Sequence, residues 1–515
     1  MYKAKKAAAV LLTIFLTGCG VVQKTQDMQQ EETITSMEEE PELSYEVPVS
    51  SPNILVNQLG YITGSTKVAV FCGEEMPQTF RVIEQETGEV AFEGILENGG
   101  YNQTDKEYNS YGDFSQLNKS GTYYIEAPIL GRSYSFSIGD NLYDDIFEEA
   151  CKQYYYNRCG ITLTAEYAGQ MAHNACHTGY AVLRQDISVN LDVSGGWHQD
   201  EKGSKDVALA SQNIGIILLA YELYQESFTD TMGIPESGNG IPDILDEVRY
   251  EVEWLLKMQD GATGAVYEGV TVYEQELGKG SISYVEPVDM RATKAFSMVL
   301  AKFSYLYQVY DTEYATNCLK AADRAWRYVR LNDQEDVDAW QFAAAAEIYR
   351  ASGQQECNRC LIEYLRKKEY KEEMDEAAFL GCITYLSTTQ PVNVELCEEI
   401  IQEIMAKAEE AASSARGSLY YVNDNKEQDD NDVLLENMVY LTTVDHIITN
   451  HEYEMVIENH LHYFMGRNAQ AISYIDGAGE KSYRDIDENL GIMKRFDANS
   501  KWIFMLSEIV GSHRR

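Results

Sequence analysis

Phe296-Ser297-Met298-Val299-Leu300-Ala301-Lys302-Phe303-Ser304-Tyr305-Leu306-Tyr307-Gln308-Val309-Tyr310 decides the fold of the larger part of this chain. Phe296, Val299, Leu300, Phe303, Leu306, Tyr307 and Tyr310 recur at intervals of three and four. That spacing aligns them along one side of a helix. Trp502, Met505, Leu506 and Ile509 repeat the pattern near the C-terminus, and 214–224, 241–258 and 338–350 carry it in between. No stretch beyond residue 140 alternates with comparable strength. The spacing therefore predicts an all-α domain over 140–515, with roughly a dozen helices of ordinary length. No internal repeat of fixed period is visible, which argues against a solenoid.

Upstream the period changes from three-and-four to two. Thr66-Lys67-Val68-Ala69-Val70-Phe71 alternates, and so does Arg132-Ser133-Tyr134-Ser135-Phe136-Ser137-Ile138, which places Tyr134, Phe136 and Ile138 on one face of a strand. Turn-rich stretches such as Glu97-Asn98-Gly99-Gly100 separate the runs. Several short strands within 53–139 predict an all-β immunoglobulin-like sandwich.

The N-terminus sets the expected compartment. Lys3, Lys5 and Lys6 precede an apolar run from Ala7 to Leu16 that is too short to span a bilayer. Leu16-Thr17-Gly18-Cys19 follows and resembles the lipobox of bacterial lipoproteins. The resemblance implies a signal peptide over 1–18 and lipid on Cys19, with the protein on the extracellular face of the membrane and the lipid as its membrane contact. Residues 19–52 carry eight acidic side chains and one lysine, a composition that cannot bury enough apolar surface to order itself. They read as a solvated tether.

The formal net charge is −42, which excludes nucleic acid as a partner because no basic surface could neutralise phosphates. A neutral ligand suits such a surface. Of the ten cysteines, Cys19 is assigned to lipid. Cys151, Cys318, Cys382 and Cys397 lie singly in helical patterns and read as free thiols in packed surroundings. Cys357 and Cys360 lack the second pair that a metal ribbon would need.

Several stretches resemble one family. Asn57-Gln58-Leu59-Gly60-Tyr61, Gly112-Asp113-Phe114-Ser115 and Gly121-Thr122-Tyr123-Tyr124 are similar to the N-terminal immunoglobulin-like domain of glycoside hydrolase family 9 cellulases. Tyr156-Asn157-Arg158-Cys159-Gly160, Asp192-Val193-Ser194-Gly195-Gly196-Trp197, the run from Ile234 to Glu247, and Tyr463-Phe464-Met465-Gly466-Arg467-Asn468 are similar to its catalytic module. The resemblance implies an (α/α)6 barrel whose groove binds β-1,4-glucan. It also implies a structural zinc on Cys159, Cys176, His177 and His198, a donor set of two thiolates and two imidazoles that suits a closed tetrahedral site. His173 is an alternative that would face the groove, and calcium stays open with no residue assigned.

The catalytic stretches depart from the family. Its base lies in an Asp-Ala-Gly-Asp run after Gly-Gly-Trp, where this chain has Gln199-Asp200-Glu201-Lys202. The two aspartate positions become Gln199 and Lys202, and neither side chain takes a proton from water at neutral pH. Asp200, or failing it Glu201, supplies the base if the loop shifts register; otherwise both are solvated turn acids. The residue at the family's spacing for the acid is Met493, which leaves Glu488, with Asp485 and Asp487 nearby. An inverting hydrolase needs two such carboxyl groups flanking the bond. Trp197 is the candidate platform for stacking on sugar. The expected function is hydrolysis of β-1,4-glucan or a related plant polysaccharide or oligosaccharide; the rival is a glycan-binding lipoprotein of the same fold.

Overall fold

The computed structural model describes residues 52–102, 106–274, 281–372, 374–423, 431–448 and 451–514. Cys19, the signal segment and the tether up to residue 51 lie outside these residues.

Ten strands, numbered in chain order, build the sandwich. One sheet runs β1 (Ile54–Leu55), β3 (Val68–Gly73), β7 (Glu107–Asp113), β6 (Glu97–Asn102). The other runs β2 (Gly60–Ile62), β10 (Phe136–Gly139), β8 (Gly121–Ala127), β4 (Thr79–Glu84), β5 (Val90–Ile95), with β9 (Gly131–Arg132) beside β8. Phe71, Phe80, Val82, Phe114, Tyr123, Ile125, Phe136 and Ile138 fill the space between them. Tyr61 stands edge-on to Phe114 and Phe136, with ring centres 5.2 and 5.4 Å away.

Strand β3 alternates as expected yet is buried on both sides. Ala69 and Phe71 enter the sandwich core, while Val70 and Cys72 pack with Leu55 against Ala471, Leu419 and Tyr420 of the helical domain. Glu97-Asn98-Gly99-Gly100, expected as a turn, instead opens β6. It pairs with β7 through a bulge between Asn98 and Gly100, which absorbs the glycines without breaking the ladder.

The helical domain is a ring of hairpins. Helices α3 (Val207–Leu223), α5 (Met290–Tyr307), α7 (Ala339–Ser352) and α9 (Glu376–Ser387) pack in succession, and α11 (Asn431–Ile447) packs on α13 (Phe496–Arg514), which returns to α3. These are buried nearly all round, as a helix with no water-facing side must be. The outer helices carry a single apolar stripe. In α6 (Thr312–Asn332) it is Ala315, Cys318, Ala322, Ala325, Trp326 and Val329. The helices α4 (Asp243–Lys257), α8 (Gln355–Lys367) and α10 (Val394–Gly417) follow the same plan. The architecture is a β-sandwich followed by an (α/α)6 barrel.

The barrel also carries strands that its helical periodicity did not announce. A five-stranded sheet runs β12 (Asn190–Leu191), β11 (Ala181–Leu183), β16 (Ser281–Val285), β15 (Gly269–Glu274), β13 (Lys205–Asp206). Strands of two to six residues are too short to show a period. Cys357 and Cys360 are buried in α8 as free thiols, and burial pushes each up to about 12, far from reactivity at neutral pH. Among the described residues, no helix is long and apolar enough to cross a membrane.

Two of the family-like motifs turn out to be the seam between the domains. Gln58 N–H donates to Met465 O at 2.8 Å, and its side chain donates to Ala471 O at 2.9 Å and accepts from Lys481 N–H at 3.0 Å. Gly466 and Gly479 make the socket: a Cβ on either would come within 2.7 or 2.6 Å of the Gln58 side chain. Arg467, fully buried, donates to Val68 O of β3. Gln58→Ala strands a buried carbonyl and a partly buried N–H, so the unfolding free energy should fall by about 2–4 kcal/mol. Urea titration followed by tryptophan fluorescence measures this; an unchanged midpoint excludes the latch.

Candidate active site and metal centre

Helix α1 (Asp144–Tyr156) ends at Asn157, and the next residues pair with a second segment. Cys159 N–H donates to Gly196 O at 2.7 Å, and His198 N–H donates to Asn157 O at 2.8 Å. This short antiparallel bridge, centred on Arg158 and Trp197, brings Cys159 and His198 together. The adjacent pair Cys176 and His177 approaches from a separate turn, with His177 at φ 48°.

Four donor atoms result, all within 4.8 Å of one another. Cys176 Sγ lies 4.0 Å from Cys159 Sγ and 3.4 Å from His198 Nε2, and Cys159 Sγ lies 3.7 Å from His177 Nδ1. Tetrahedral zinc with ordinary bond lengths sets its ligand atoms about 3.3–3.8 Å apart. The cage and its donors fit that ion. Hydrogen bonding with Cys159, then with His198, pulls the Cys176 thiol far below its ordinary value against its burial. His173 is not in the group; its backbone pairs with Leu163 and its Nδ1 lies 2.8 Å from Asn174 O. Among the described residues no second group of three or more His, Cys, Asp or Glu donors converges.

Behind the bridge lies a buried brace that the periodicity did not single out. Arg158 pairs with Glu247 at 2.7 Å and with Glu236 at 2.9 Å. Glu251 accepts Trp197 N–H at 2.5 Å, and Lys205 Nζ donates to Gly195 O at 2.6 Å and Val193 O at 3.1 Å. Burial pushes Glu247 up to about 7 and Glu251 up to about 8. Both are sealed from solvent, so these shifts mark structure and not catalysis. The available signal was an acid four residues after another on the apolar face of α4, among Ile244, Val248 and Val252.

Trp197 requires a correction. Its ring is 0 % exposed, packed 4.6 Å from Tyr154 and 6.0 Å from Phe496 between ring centres. It has no face to offer a sugar. His198, next in the chain, points to the metal cage, and the bridge then turns Trp197 inward.

The loop after His198 is a tight turn. Asp200 Oδ1 accepts N–H groups from Lys202 at 2.9 Å and Ser204 at 2.8 Å. Burial pushes its carboxyl up, but the Ser204, Lys202 and Gly203 hydrogen bonds outweigh this and hold it below its ordinary value. Glu201 is exposed. Gln199 closes on the Asp206 backbone, accepting its N–H at 2.7 Å and donating to its O at 2.9 Å. Gly203 lies beneath the His177 ring, where a Cβ would come within 2.5 Å of Cε1. The metal cage and the Asp200 turn are therefore one unit.

The acid-side stretch is assembled differently. Met493 is buried. Glu488 opens a single 3-10 turn, Glu488–Leu490, and its side chain lies outside the described atoms. Asp487 caps that turn by accepting Asn489 N–H at 3.0 Å, and Asp485 accepts Ser482 N–H at 3.2 Å. Phe496, where this stretch ends, touches Trp197 at the root of the Asp200 loop.

Comparison with known proteins agrees with this architecture. The profile of glycosyl hydrolase family 9 matches residues 143–495, and that of the cellulase N-terminal ig-like domain matches 49–132. The chain belongs to glycosyl hydrolase family 9. Within the family it is 28 % identical over 468 residues to Endoglucanase D of Acetivibrio thermocellus, covering 83 % of this chain and 73 % of that one. A metagenome-derived family 9 endoglucanase superposes with a TM-score of 0.78 at 24 % identity, over 89 % of this chain and 99 % of the other. A zinc-binding triple mutant of the family 9 endoglucanase J30 superposes with a TM-score of 0.72 at 20 % identity, over 87 % and 99 %.

Proposed function

We propose that this chain hydrolyses β-1,4-linked glucan, or a related plant polysaccharide or oligosaccharide, at the outer face of a bacterial membrane. The observation that carries this reading is the family 9 match across 143–495; relatives of the chain include an endoglucanase, a xyloglucan-specific endo-beta-1,4-glucanase and a cellulose 1,4-beta-cellobiosidase by name. Asp200 is the base: the Lys202 and Ser204 N–H groups on Oδ1 fix the direction of its exposed carboxyl. Glu488 is the acid that protonates the leaving oxygen, and attack by water from the opposite side inverts the anomeric carbon. Cys159, Cys176, His177 and His198 would hold zinc, which would supply a rigid cross-link under the Asp200 turn.

A second reading, a glycan-binding protein without turnover, is favoured by one observation. Gln199 and Lys202 stand at the family's aspartate positions, and the Gln199 amide is committed to the Asp206 backbone. Incubation with cello-oligosaccharides, with products separated by chromatography and their anomers read by NMR, separates the two. Release of α-anomeric products supports hydrolysis. Calorimetric binding of intact oligosaccharide with no release supports the binder.

The anchor is tested apart from the chemistry. Cys19→Ser removes the acyl acceptor, so the protein should move from the membrane pellet to the medium on fractionation. Retention of that variant in the pellet refutes the lipid anchor.

A further inference from the structure

The small sheet beside the Asp200 loop carries side chains that the reaction does not use. Val182 of β11 lies beside Tyr284 of β16, which lies opposite Thr271 of β15; one row on, Ile282 lies opposite Tyr273. Alternation puts these five on one face and Ala181, Val270, Val272 and Val285, all buried, on the other. On the first face Val182, Thr271, Ile282 and Tyr284 are half-buried and Tyr273 is open to water. Tyr273 is 48 % exposed, and Tyr180, two residues before Val182, is 72 % exposed.

Arg184 lies across this face. Its guanidinium is 4.6 Å from the Tyr284 ring centre and 5.3 Å from that of Tyr273. Glu286 holds it through two contacts, 2.6 Å from Nη2 and 2.5 Å from Nε, and Nη2 also donates to the Tyr273 hydroxyl at 3.2 Å. The ion pair has no net charge yet presents fixed donors beside fixed acceptors. Exposed aromatic rings with such a pair match the two sides of a pyranose, its C–H faces and its hydroxyl edges.

The position of the face selects the ligand. Strand β13 begins where the Asp200 turn ends and pairs with β15. Val272 N–H donates to Ser204 Oγ at 3.2 Å, so the turn is pinned one residue from Tyr273. We infer that Tyr180, Arg184, Tyr273 and Tyr284 form a second contact surface for the neutral β-linked glucan addressed by the Asp200 turn, engaging sugar units beyond those at the reacting bond. This rests on the glucan reading above.

The test is calorimetry with cellobiose and cellohexaose on the full chain, every protein carrying Asp200→Asn so that the sugar stays intact: that background, here taken as wild type, and the same background with Tyr180→Ala, Tyr273→Ala, Tyr273→Phe or Arg184→Met. Each variant's melting temperature checks its fold, and the exposure of Tyr180 makes its replacement the safest. Tyr180→Ala, Tyr273→Ala and Arg184→Met should each weaken cellohexaose binding about tenfold, as loss of a stacking or bidentate contact does, and leave cellobiose unchanged. Tyr273→Phe keeps the ring and should stay near wild type. Cellohexaose affinity equal to wild type in all three variants overturns the inference, as does an equal loss for both lengths. Dimerisation that Tyr273→Ala abolishes, with sugar affinity unchanged, assigns the face to a second copy of the chain and also overturns it. If wild type binds neither sugar, the glucan reading fails, and this inference with it.

Discussion

Asp200→Asn is expected to slow hydrolysis of β-1,4-gluco-oligosaccharides by about two to four orders of magnitude, the range associated with loss of a positioned general base. Oligosaccharide affinity should stay within about twofold, because the substitution keeps the size of the side chain and the turn around it. Glu201→Gln should behave like wild type. Glu488→Gln should match the loss at Asp200 on substrates with poor leaving groups, since both carboxyl groups act in one step. The pH profile gives an independent reading. Asp200 is held below its ordinary value, so it is ionised at neutral pH and loses its charge only as pH falls through that depressed value. With zinc kept in excess so that loss of the metal does not set the limb, an acid limb of the rate profile above about pH 5 excludes Asp200 as the base. The double substitution Gln199→Asp, Lys202→Asp restores carboxylates at the family's positions. Turnover that appears only in this double variant establishes the wild type as a binder.

Cys176→Ser should reduce the zinc content of the purified chain from about one ion per molecule to near zero, with affinity lower by at least about 10²-fold. Cys397→Ser, which alters a partly buried thiol outside the cage, should leave the metal in place. Zinc binds thiolates and neutral imidazoles, so thiols and imidazolium ions must first lose their protons; zinc affinity should therefore fall as pH is lowered, and the stability that zinc adds should be lost in the same direction. The geometry links this to the reaction. Gly203 packs under His177 and His198 precedes the Asp200 turn, so chelation should lower turnover and readdition of zinc should restore it. Atomic absorption of protein purified without chelator is the direct measurement. An ion-free chain with full thermal stability contradicts the zinc assignment.

The two domains and their order were legible because their periods differ and each is expressed over many residues. The helical stripe of 296–310 and the alternation of Val68 to Phe71 are local consequences of side-chain geometry. The four candidate metal donors were legible by residue type and by resemblance, not by spacing, since three segments far apart in the chain supply them. The strands of the small sheet were not legible. Pairs of two to six residues carry no period, and their register depends on partners about a hundred residues away, such as Val182 with Tyr284. Glu97 to Gly100 misled for a related reason: glycine permits a turn and a bulge alike, and pairing with β7 chose the bulge.

The amino-acid sequence by itself determined that a strand-rich segment precedes a helical one, that the formal net charge is −42, and that Gln199-Asp200-Glu201-Lys202 follows Gly195-Gly196-Trp197-His198. For the candidates whose side chains the structure describes, tertiary structure alone decided what each one faces. Trp197 became core because Tyr154 and Phe496, distant in sequence, close over its ring. Asp200 became an oriented, ionised turn residue because the chain folds back to present two N–H groups to one oxygen. Gln58 and Gly466 became a latch because sandwich and barrel meet there. Composition and period are properties of neighbours along the chain; orientation, burial and charge state depend on groups that only packing brings together.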